Sequence, residues 1–460
     1  MIDWIVEHLA AVMFFFLFGC LFLGYPVAFT LGAVGILFGL IGWFFGEFRM
    51  VQFHAIMPRV FGQAVMNQVL VAVPMFIFMG VVLERSRVAE DLLKTLQLLL
   101  RRVPGGLALA VCGMGTIMAA TTGIVGASVI MLTLMALPTM LERNYNKELA
   151  TGVIAASGTL GILIPPSIML VIMGDLVQVP VGTLFAGAAL PGLLLASLYM
   201  VYIVTICTLR PKLAPKLADH VGPDDKIGLV VLVIKSLVPP TFLIALVLGS
   251  IFAGFATPTE AAGVGAGGAL LLAWANGRLN IAMLRATIDS AALTNALVFF
   301  ILLGATVFSY VFRVLGGDYI FAELLAALGI NTSWEVLLFL MALVFILGFF
   351  FDFIEICLIV LPIFLPILAK LDFTDHVGPI REAMPWITIL IAVNLQTSFL
   401  TPPFGFTLFY LKGTVPPEVT LGHIYRGIIP FVCLQVLGLV LVLVFPQIAL
   451  WLPRVSGFLE

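Results

Sequence analysis

The sequence predicts an all-α polytopic membrane protein made of two inverted repeats, each with a re-entrant helical hairpin and a proline-broken helix. Of its 460 residues, 62% are hydrophobic and only 10% are charged, and the mean hydropathy is +1.21. A soluble domain has about 25% charged residues, so this chain cannot cover itself with a hydrated surface. Two proline doublets, Pro165-Pro166 and Pro402-Pro403, interrupt apolar segments. Each doublet follows a longer apolar segment of the length expected for a hairpin.

The composition excludes a soluble enzyme and a nucleic-acid-binding protein, because a net charge of −2 offers no basic surface. The five cysteines and five histidines are dispersed singly, so no zinc or haem site is expected. No lysine follows a glycine, which excludes the phosphate-binding loop of ATPases. The first seven residues lack the basic region of a signal peptide, so the apolar run after them is expected to remain as a first span.

Apolar segments long enough to cross a bilayer follow one another along the chain. The basic stretch 84–102 is expected to form an amphipathic helix on the cytoplasmic membrane surface, or an extension of a neighbouring helix. A Gly/Ala-rich span opens at Ala256. The other predicted spans lie at 8–24, 25–46, 69–84, 187–209, 228–253 and 291–315, with a closing span from 427.

Two segments are expected to enter the membrane and return to the same side. Residues 104–141 contain a run rich in Gly, Thr and Ser at their middle, and basic residues flank both ends. Residues 335–370 contain Asp352 and Glu355 near their middle. Each is followed by a helix that its proline doublet breaks. Lipid forbids such a break unless protein or a polar cavity satisfies the freed carbonyls.

A constant offset relates the two halves. The two proline doublets lie 237 positions apart, and so do Thr183-Leu184 and Thr420-Leu421. With the N-terminus outside, most Lys and Arg fall in cytoplasmic loops, whereas Arg59 and Arg313 lie on the outer side. The first hairpin then enters from the cytoplasm and the second from outside. The halves are therefore predicted to be inverted repeats, an architecture typical of transporters.

The broken elements predict ion sites. Interrupted helices place free carbonyls and helix ends near the bilayer midplane, and sodium prefers oxygen ligands. Close helix contact is the alternative reading for the Gly, Ser and Thr positions, and a place at the hairpin mouth is the alternative for the two acids. Glu260 is expected to cap a helix N-terminus. The candidate ligands of the first site are Thr122, Gly123, Gly126, Ser128, Ser157, Gly158, Gly161 and Pro165; those of the second are Gly348, Asp352, Glu355, Asn394, Thr397, Ser398, Thr401 and Pro402.

The run from Phe255 to Ala262, FATPTEAA, resembles the signature of the large membrane subunit of TRAP (tripartite ATP-independent periplasmic) transporters. The resemblance covers nearly the whole chain. It extends to Gly24-Tyr25-Pro26, Ile164-Pro165-Pro166-Ser167, Phe351-Asp352, Leu361-Pro362 and the run from Leu400 to Gly405. It implies a sodium-driven importer of organic acids in the bacterial inner membrane, with at least two sodium sites. A small four-span membrane subunit and a periplasmic substrate-binding protein are the implied partners.

The resemblance also implies an elevator-type secondary transporter, in which the hairpins and broken helices move against a scaffold. On this basis the scaffold comprises 1–104 and 187–334, the transport domain comprises 105–186 and 335–426, and 427–460 form a C-terminal span. The alternative is a stand-alone divalent-anion/sodium symporter. An intramembrane enzyme lacks a visible nucleophile and base, and a passive channel would not need duplicated breaks. The residues expected to contact the substrate carboxylate are Thr122, Ser128, Ser167, Asn394 and Thr401.

Overall fold

The computed structural model describes residues 8–122, 125–215, 226–402 and 405–459, in which the regular structure is helical. The first half, up to residue 215, follows the predicted order of spans, hairpin and broken helix. Its helices are α1 Leu9–Phe22, α2 Val27–Phe45, α3 Met50–His54, α4 Ile56–Val60, α5 Ala72–Arg85, α6 Val88–Leu99, α7 Gly106–Thr122, α8 Val125–Glu142, α9 Lys147–Thr159, α10 Ile168–Val177 and α11 Val181–Leu209.

The second half repeats this order with a bent helix pair at its start. Its helices are α12 Lys226–Ser236, α13 Val238–Phe252, α14 Pro258–Ala275, α15 Ile281–Val314, α16 Gly317–Ala327, α17 Ser333–Leu347, α18 Phe353–Leu368, α19 Thr374–Val377, α20 Ile380–Leu400, α21 Phe406–Thr414, α22 Leu421–Val444 and α23 Gln447–Val455. Six helices of the described residues are long and apolar enough to cross a membrane, or eight if each of two bent pairs is one span.

Helix contacts confirm that the two halves are copies of one unit. Helix α2 lies along α15, and its counterpart α14 lies along α5. In each half the first hairpin helix contacts the first part of the broken helix, α7 with α9 and α17 with α20. Across the halves, α8 contacts α21 and α18 contacts α10. Each of these contacts therefore has a partner related by the same exchange of repeats.

The chain divides into two groups of helices by these contacts. Helices α2, α5, α14 and α15 contact one another, while both hairpins surround the broken helices. Helices α11 and α22 contact the broken helices and each other. The boundaries at 187 and 427 separate these two helices from the predicted transport domain, whereas their contacts group them with it. Both are long and apolar, so their sequences do not reveal which group they join.

The sequence did not indicate helical structure between residues 50 and 65. Met50–Val65 is helical, with a π-helical end at Phe61–Val65, and it meets Val69–Arg85 at an angle of 52°. The polar residues Gln52, His54 and Arg59 interrupt its apolar run, so its hydropathy did not indicate a membrane helix. Arg59 stays solvent-exposed on this segment.

Two predicted local features are present. Helix α6 is amphipathic, as expected for 84–102, but it buries Leu92, Leu93 and Leu96 and contacts α7 rather than lying on the membrane surface alone. Glu260 closes a capping box at the start of α14: its carboxylate accepts hydrogen bonds from the backbone N–H of Thr257, at 2.8 Å, and from the Thr257 hydroxyl. The role predicted for Glu260 is confirmed.

Candidate ion and substrate sites at the broken helices

The first broken helix stops where its prolines begin. Helix α9 ends at Thr159, a 3-10 turn covers Leu160–Ile162, and α10 starts at Ile168 after Pro165-Pro166. Gly161, Pro165 and Ser167 are buried within this break. The Ser167 hydroxyl donates a hydrogen bond to the Ile162 carbonyl across it. Protein therefore satisfies at least one of the carbonyls that the prolines leave free.

Glycines hold the first hairpin against this broken helix. A Cβ atom at Gly158 would overlap Val129 of α8, and one at Gly115 of α7 would lie 2.6 Å from the Ser157 Cβ. Ser128, next to Val129, is buried. The Ser157 hydroxyl is buried and makes no hydrogen bond within the described residues. Thus Gly158 meets Val129, the neighbour of Ser128, where α8 and α9 touch.

Ser167→Ala is expected to lower stability without a specific effect on ion binding. The Ile162 carbonyl would lose its partner in a buried setting, which costs about 1–3 kcal/mol. The measurement is the thermal unfolding midpoint of the purified chain in detergent, with and without sodium. Ser197→Ala is the matched control, because its hydroxyl donates to the Leu193 carbonyl of its own helix at an exposed position. Equal midpoints for the two variants would contradict the assigned role.

The second break presents oxygen lone pairs. The hydroxyls of Thr397, Ser398 and Thr401 each donate to a carbonyl of the same chain segment, those of Val393, Leu395 and Thr397 at 2.8–3.0 Å. A hydroxyl that donates in this way keeps its lone pairs for another partner. Helix α20 ends at Leu400, just before Pro402, so its last carbonyls have no further turn to bond. These groups suit a hard cation.

The second hairpin closes on this break. A Cβ atom at Gly348 would overlap the Ser398 side chain, so glycine permits the approach. The Asn394 amide nitrogen donates to the Met341 carbonyl of α17 at 2.7 Å, which fixes this side chain against the second hairpin. The Phe353 and Phe399 rings lie 6.4 Å apart and bring the start of α18 beside the end of α20.

Asp352 and Glu355 have different surroundings although they lie three residues apart. Asp352 is the N-cap residue of α18. The Glu355 carboxylate accepts a hydrogen bond from the Asp352 backbone N–H at 3.2 Å, as in a capping box. Both side chains are partly buried. Asp352 and Glu355 thus form the capping box of α18 together, and the Asp352 carboxylate, at the helix start, is the charged group that we assign to a cation.

Tyr410 of α21 was not among the predicted site residues. A Cβ atom at Gly126 would lie 2.8 Å from its ring, so the start of α8 packs on this tyrosine. Tyr410 also lies within electrostatic range of Asp352 and Glu355. Tyr410 therefore packs on the beginning of α8 and lies in the electrostatic field of the two acids at the beginning of α18. No local pattern marks it, because both contacts join residues distant in sequence.

A buried polar cluster lies where the repeats meet. The Gln435 amide of α22 contacts the Thr159 hydroxyl of α9 at 3.4 Å. Gln396 of α20 is fully buried, and neither its amide nitrogen nor its oxygen has a hydrogen-bond partner among the described residues. Thr159 and Gln396 differ by 237 positions, the offset of the proline doublets. That offset is the sequence signal by which this cluster could have been found.

The structure therefore brings together most of the predicted residues in two separate places. Gly123 lies outside the described residues, and Thr122 is described only as the last residue of α7. Groups of three or more His, Cys, Asp or Glu that could hold a metal ion do not occur in the described parts of the chain. Neutral oxygens and one carboxylate remain, a donor set that suits sodium better than a transition metal.

Sequence comparison matches most of the chain to one protein family. Residues 14–448 match the family model described as the tripartite ATP-independent periplasmic transporter, DctM component. The chain is 28% identical to the C4-dicarboxylate TRAP transporter large permease protein DctM of Vibrio cholerae, over 96% of this chain and 97% of that protein. It is 26% identical to the ectoine TRAP transporter large permease protein TeaC of Halomonas elongata, over 96% and 99%.

A longer relative and a solved structure are also similar. The chain is 30% identical to the isethionate TRAP transporter permease protein DctMQ of Oleidesulfovibrio alaskensis, over 83% of this chain but only 58% of that protein. The crystal structure of the Alcanivorax borkumensis YdaH transporter matches with a TM-score of 0.58 at 14% identity, over 89% of this chain and 90% of that one. This last match concerns the fold alone.

Proposed function

The chain belongs to the DctM family, the large membrane subunits of tripartite ATP-independent periplasmic transporters, and we propose that it imports organic carboxylates driven by sodium. It is an inner membrane protein. In this family the large permease works with a small membrane subunit and a periplasmic binding protein. Relatives are named for C4-dicarboxylates, sialic acid and ectoine, which carry a carboxylate, and for isethionate, which carries a sulfonate. An organic acid is therefore the proposed substrate class.

The main support for a sodium site is the set of oxygen atoms at the second break. Thr397, Ser398 and Thr401 keep their lone pairs, and the partly buried Asp352 starts the hairpin helix beside them. A carboxylate in a membrane protein is costly without a partner or a proton. A sodium ion would balance that charge and take the oxygens as ligands. The first break, with Ser128 and Ser157, supports a second ion site.

Movement of the transport domain against the scaffold is part of the proposal. Where α15 and α5 of the scaffold meet α10 and α18, a small cavity is lined by apolar residues, among them Val298, Leu302, Ile172 and Leu358. An apolar boundary with few specific bonds offers little resistance to sliding. Such sliding would carry both sodium sites and the substrate together across the membrane as an elevator.

Energy for uptake would come from the sodium gradient and the membrane potential. Each net positive charge moved inward through 100 mV supplies about 2.3 kcal/mol, which corresponds to an accumulation of roughly 50-fold. Two sodium ions with a monoanion would move one net charge and give uphill uptake. A dianion would need more than two sodium ions to be electrogenic.

The test is reconstitution in liposomes with radiolabelled succinate, sialic acid and ectoine as separate probes. The chain is combined with a small membrane subunit and a binding protein, under an inward sodium gradient or an equal potassium gradient. We expect uptake of one probe only with all three proteins and only with sodium. Uptake by the chain alone would support the stand-alone symporter instead, and uptake in potassium would contradict sodium coupling.

A further inference from the structure

A polar crevice lies between the scaffold and the predicted transport domain, apart from the residues of the two proline breaks. It has a volume of about 450 Å³ and is bordered by Arg59 of α4 and Arg313 of α15 on the scaffold, and by Asp175 of α10 and Pro362 of α18 on the other side. The positive-inside distribution places Arg59 and Arg313 on the outer side of the membrane. The crevice therefore faces the compartment from which a substrate arrives.

Among the residues that the structure describes, both arginines keep some of their guanidinium N–H donors without a partner. The Arg59 guanidinium carbon lies 4.4 Å above the centre of the Tyr310 ring, so the ring engages the flat face and leaves the N–H edges. Arg313 donates one Nη2 hydrogen bond to the Pro362 carbonyl at 2.6 Å. A guanidinium has five N–H donors in a planar fork that matches a carboxylate. A basic residue in the last turn of a helix stabilises its C-terminus, which would account for the position of Arg313 at the end of α15 but not for that of Arg59.

The charges of the crevice favour an anion. Its lining has two arginines and one carboxylate, that of Asp175, which accepts a hydrogen bond from the Asn67 amide at 2.6 Å. Asp318 lies near Arg313 in α16. Within the part of the chain that the structure describes, neither arginine pairs with a carboxylate within 4.0 Å; the ion pairs there involve Lys147, Arg426 and Arg454. The Ser309 hydroxyl, also in the lining, is buried without a hydrogen-bond partner among the same residues.

We propose that this outer crevice is an anion-binding site in which Arg59 and Arg313 hold the carboxylate of an arriving organic acid. The proposal rests on the proposed function, because it names where that substrate class first binds. The site joins both domains, since Arg313 reaches Pro362 and Asn67 reaches Asp175. A carboxylate that competes with the Pro362 carbonyl for Arg313 would loosen one of these two bonds as it binds.

The test measures local charge without needing a transported substrate. In a variant with Cys20→Ala and Cys433→Ala, Gln63→Cys places a thiol in the crevice, and Asn331→Cys places one at an exposed position elsewhere on the outer side. Each thiol reacts with an anionic and a cationic methanethiosulfonate reagent of similar size. We expect the anionic-to-cationic rate ratio to be about tenfold higher at Gln63→Cys than at Asn331→Cys.

Arginine variants and a carboxylate probe complete the test. Arg59→Gln or Arg313→Gln should lower the ratio at Gln63→Cys several-fold, while Arg59→Lys should preserve it. Succinate, but not putrescine, should slow modification by a neutral reagent at Gln63→Cys and not at Asn331→Cys. Equal ratios at the two positions, or no protection by succinate, would overturn the proposal. Because the rates are measured without transport, a failure of the proposed function in liposomes would be recognised separately.

Discussion

Asp352→Asn is expected to remove most of the stabilisation that sodium gives this chain, whereas Glu355→Gln is expected to retain it. In the proposed site Asp352 supplies the charged oxygen, and Thr397, Ser398 and Thr401 supply lone pairs; the Phe353 and Phe399 rings, 6.4 Å apart, bring the two segments together. Glu355 accepts the Asp352 backbone N–H, and a glutamine oxygen at the third helical position can accept the same bond. Substitution of these two acids, three residues apart, should therefore affect the stabilisation by sodium differently: Asp352→Asn loses most of it and Glu355→Gln keeps it.

The measurement is the thermal unfolding midpoint of the purified chain as sodium replaces potassium at constant ionic strength. A ligand that binds only the folded state raises stability by RT ln(1 + [L]/Kd), so the midpoint reports affinity without a known substrate. A tenfold loss of affinity corresponds to about 1.4 kcal/mol, and removal of the charged ligand should cost at least this. Ser157→Ala tests the first break in the same way.

Two outcomes would contradict this assignment. If Glu355→Gln loses the sodium response as fully as Asp352→Asn, both carboxylates act on the ion and the capping role is insufficient. If neither variant changes the response, the second break does not hold sodium. Glu355→Ala serves as a further control, because loss of the cap should lower the free energy of unfolding by about 1 kcal/mol, and so lower the midpoint equally in sodium and in potassium.

Gly152→Ala is expected to destabilise the packing of α9 against α22 strongly. Helices α9 and α22 approach so closely that a Cβ atom at Gly152 would overlap the Gly427 carbonyl, and one at Gly427 would overlap the Glu148 carbonyl. These obstacles are backbone atoms of a regular helix and cannot rotate away as a side chain could. The two helices would have to separate. Overpacking of this kind costs about 3 kcal/mol or more, enough to lower the unfolding midpoint by several degrees.

Gly263→Ala is the matched control, since it makes the same change within helix α14 with no atom within 4 Å of the added Cβ. Alanine has the higher helix propensity by about 1 kcal/mol, so this variant should be neutral or more stable. The comparison isolates the helix–helix approach from backbone propensity. Similar midpoints for both variants would show that α9 and α22 do not meet at these glycines.

The sequence by itself determined the elements of this protein. Hydropathy and the proline doublets predicted most of the spans, both hairpins and both breaks, though not the helices between Met50 and Val65, because lipid requires long apolar helices and proline removes a backbone donor wherever it occurs. The helix cap formed by Thr257 and Glu260 could likewise be predicted, because its two residues are three positions apart in the chain. These features depend on neighbouring residues, so a pattern of a few positions reveals them.

Tertiary structure decided which residues meet. Tyr410 packs on the first hairpin, Arg59 and Arg313 border one crevice, and α11 and α22 group with the broken helices. Even the repeat offset did not fix local roles: Thr420 caps α22, while Thr183 lies inside α11 with its hydroxyl buried. Such contacts join residues far apart in the chain, and Leu- and Phe-rich helices offer many similar apolar faces. Only the three-dimensional arrangement of the helices selects among them.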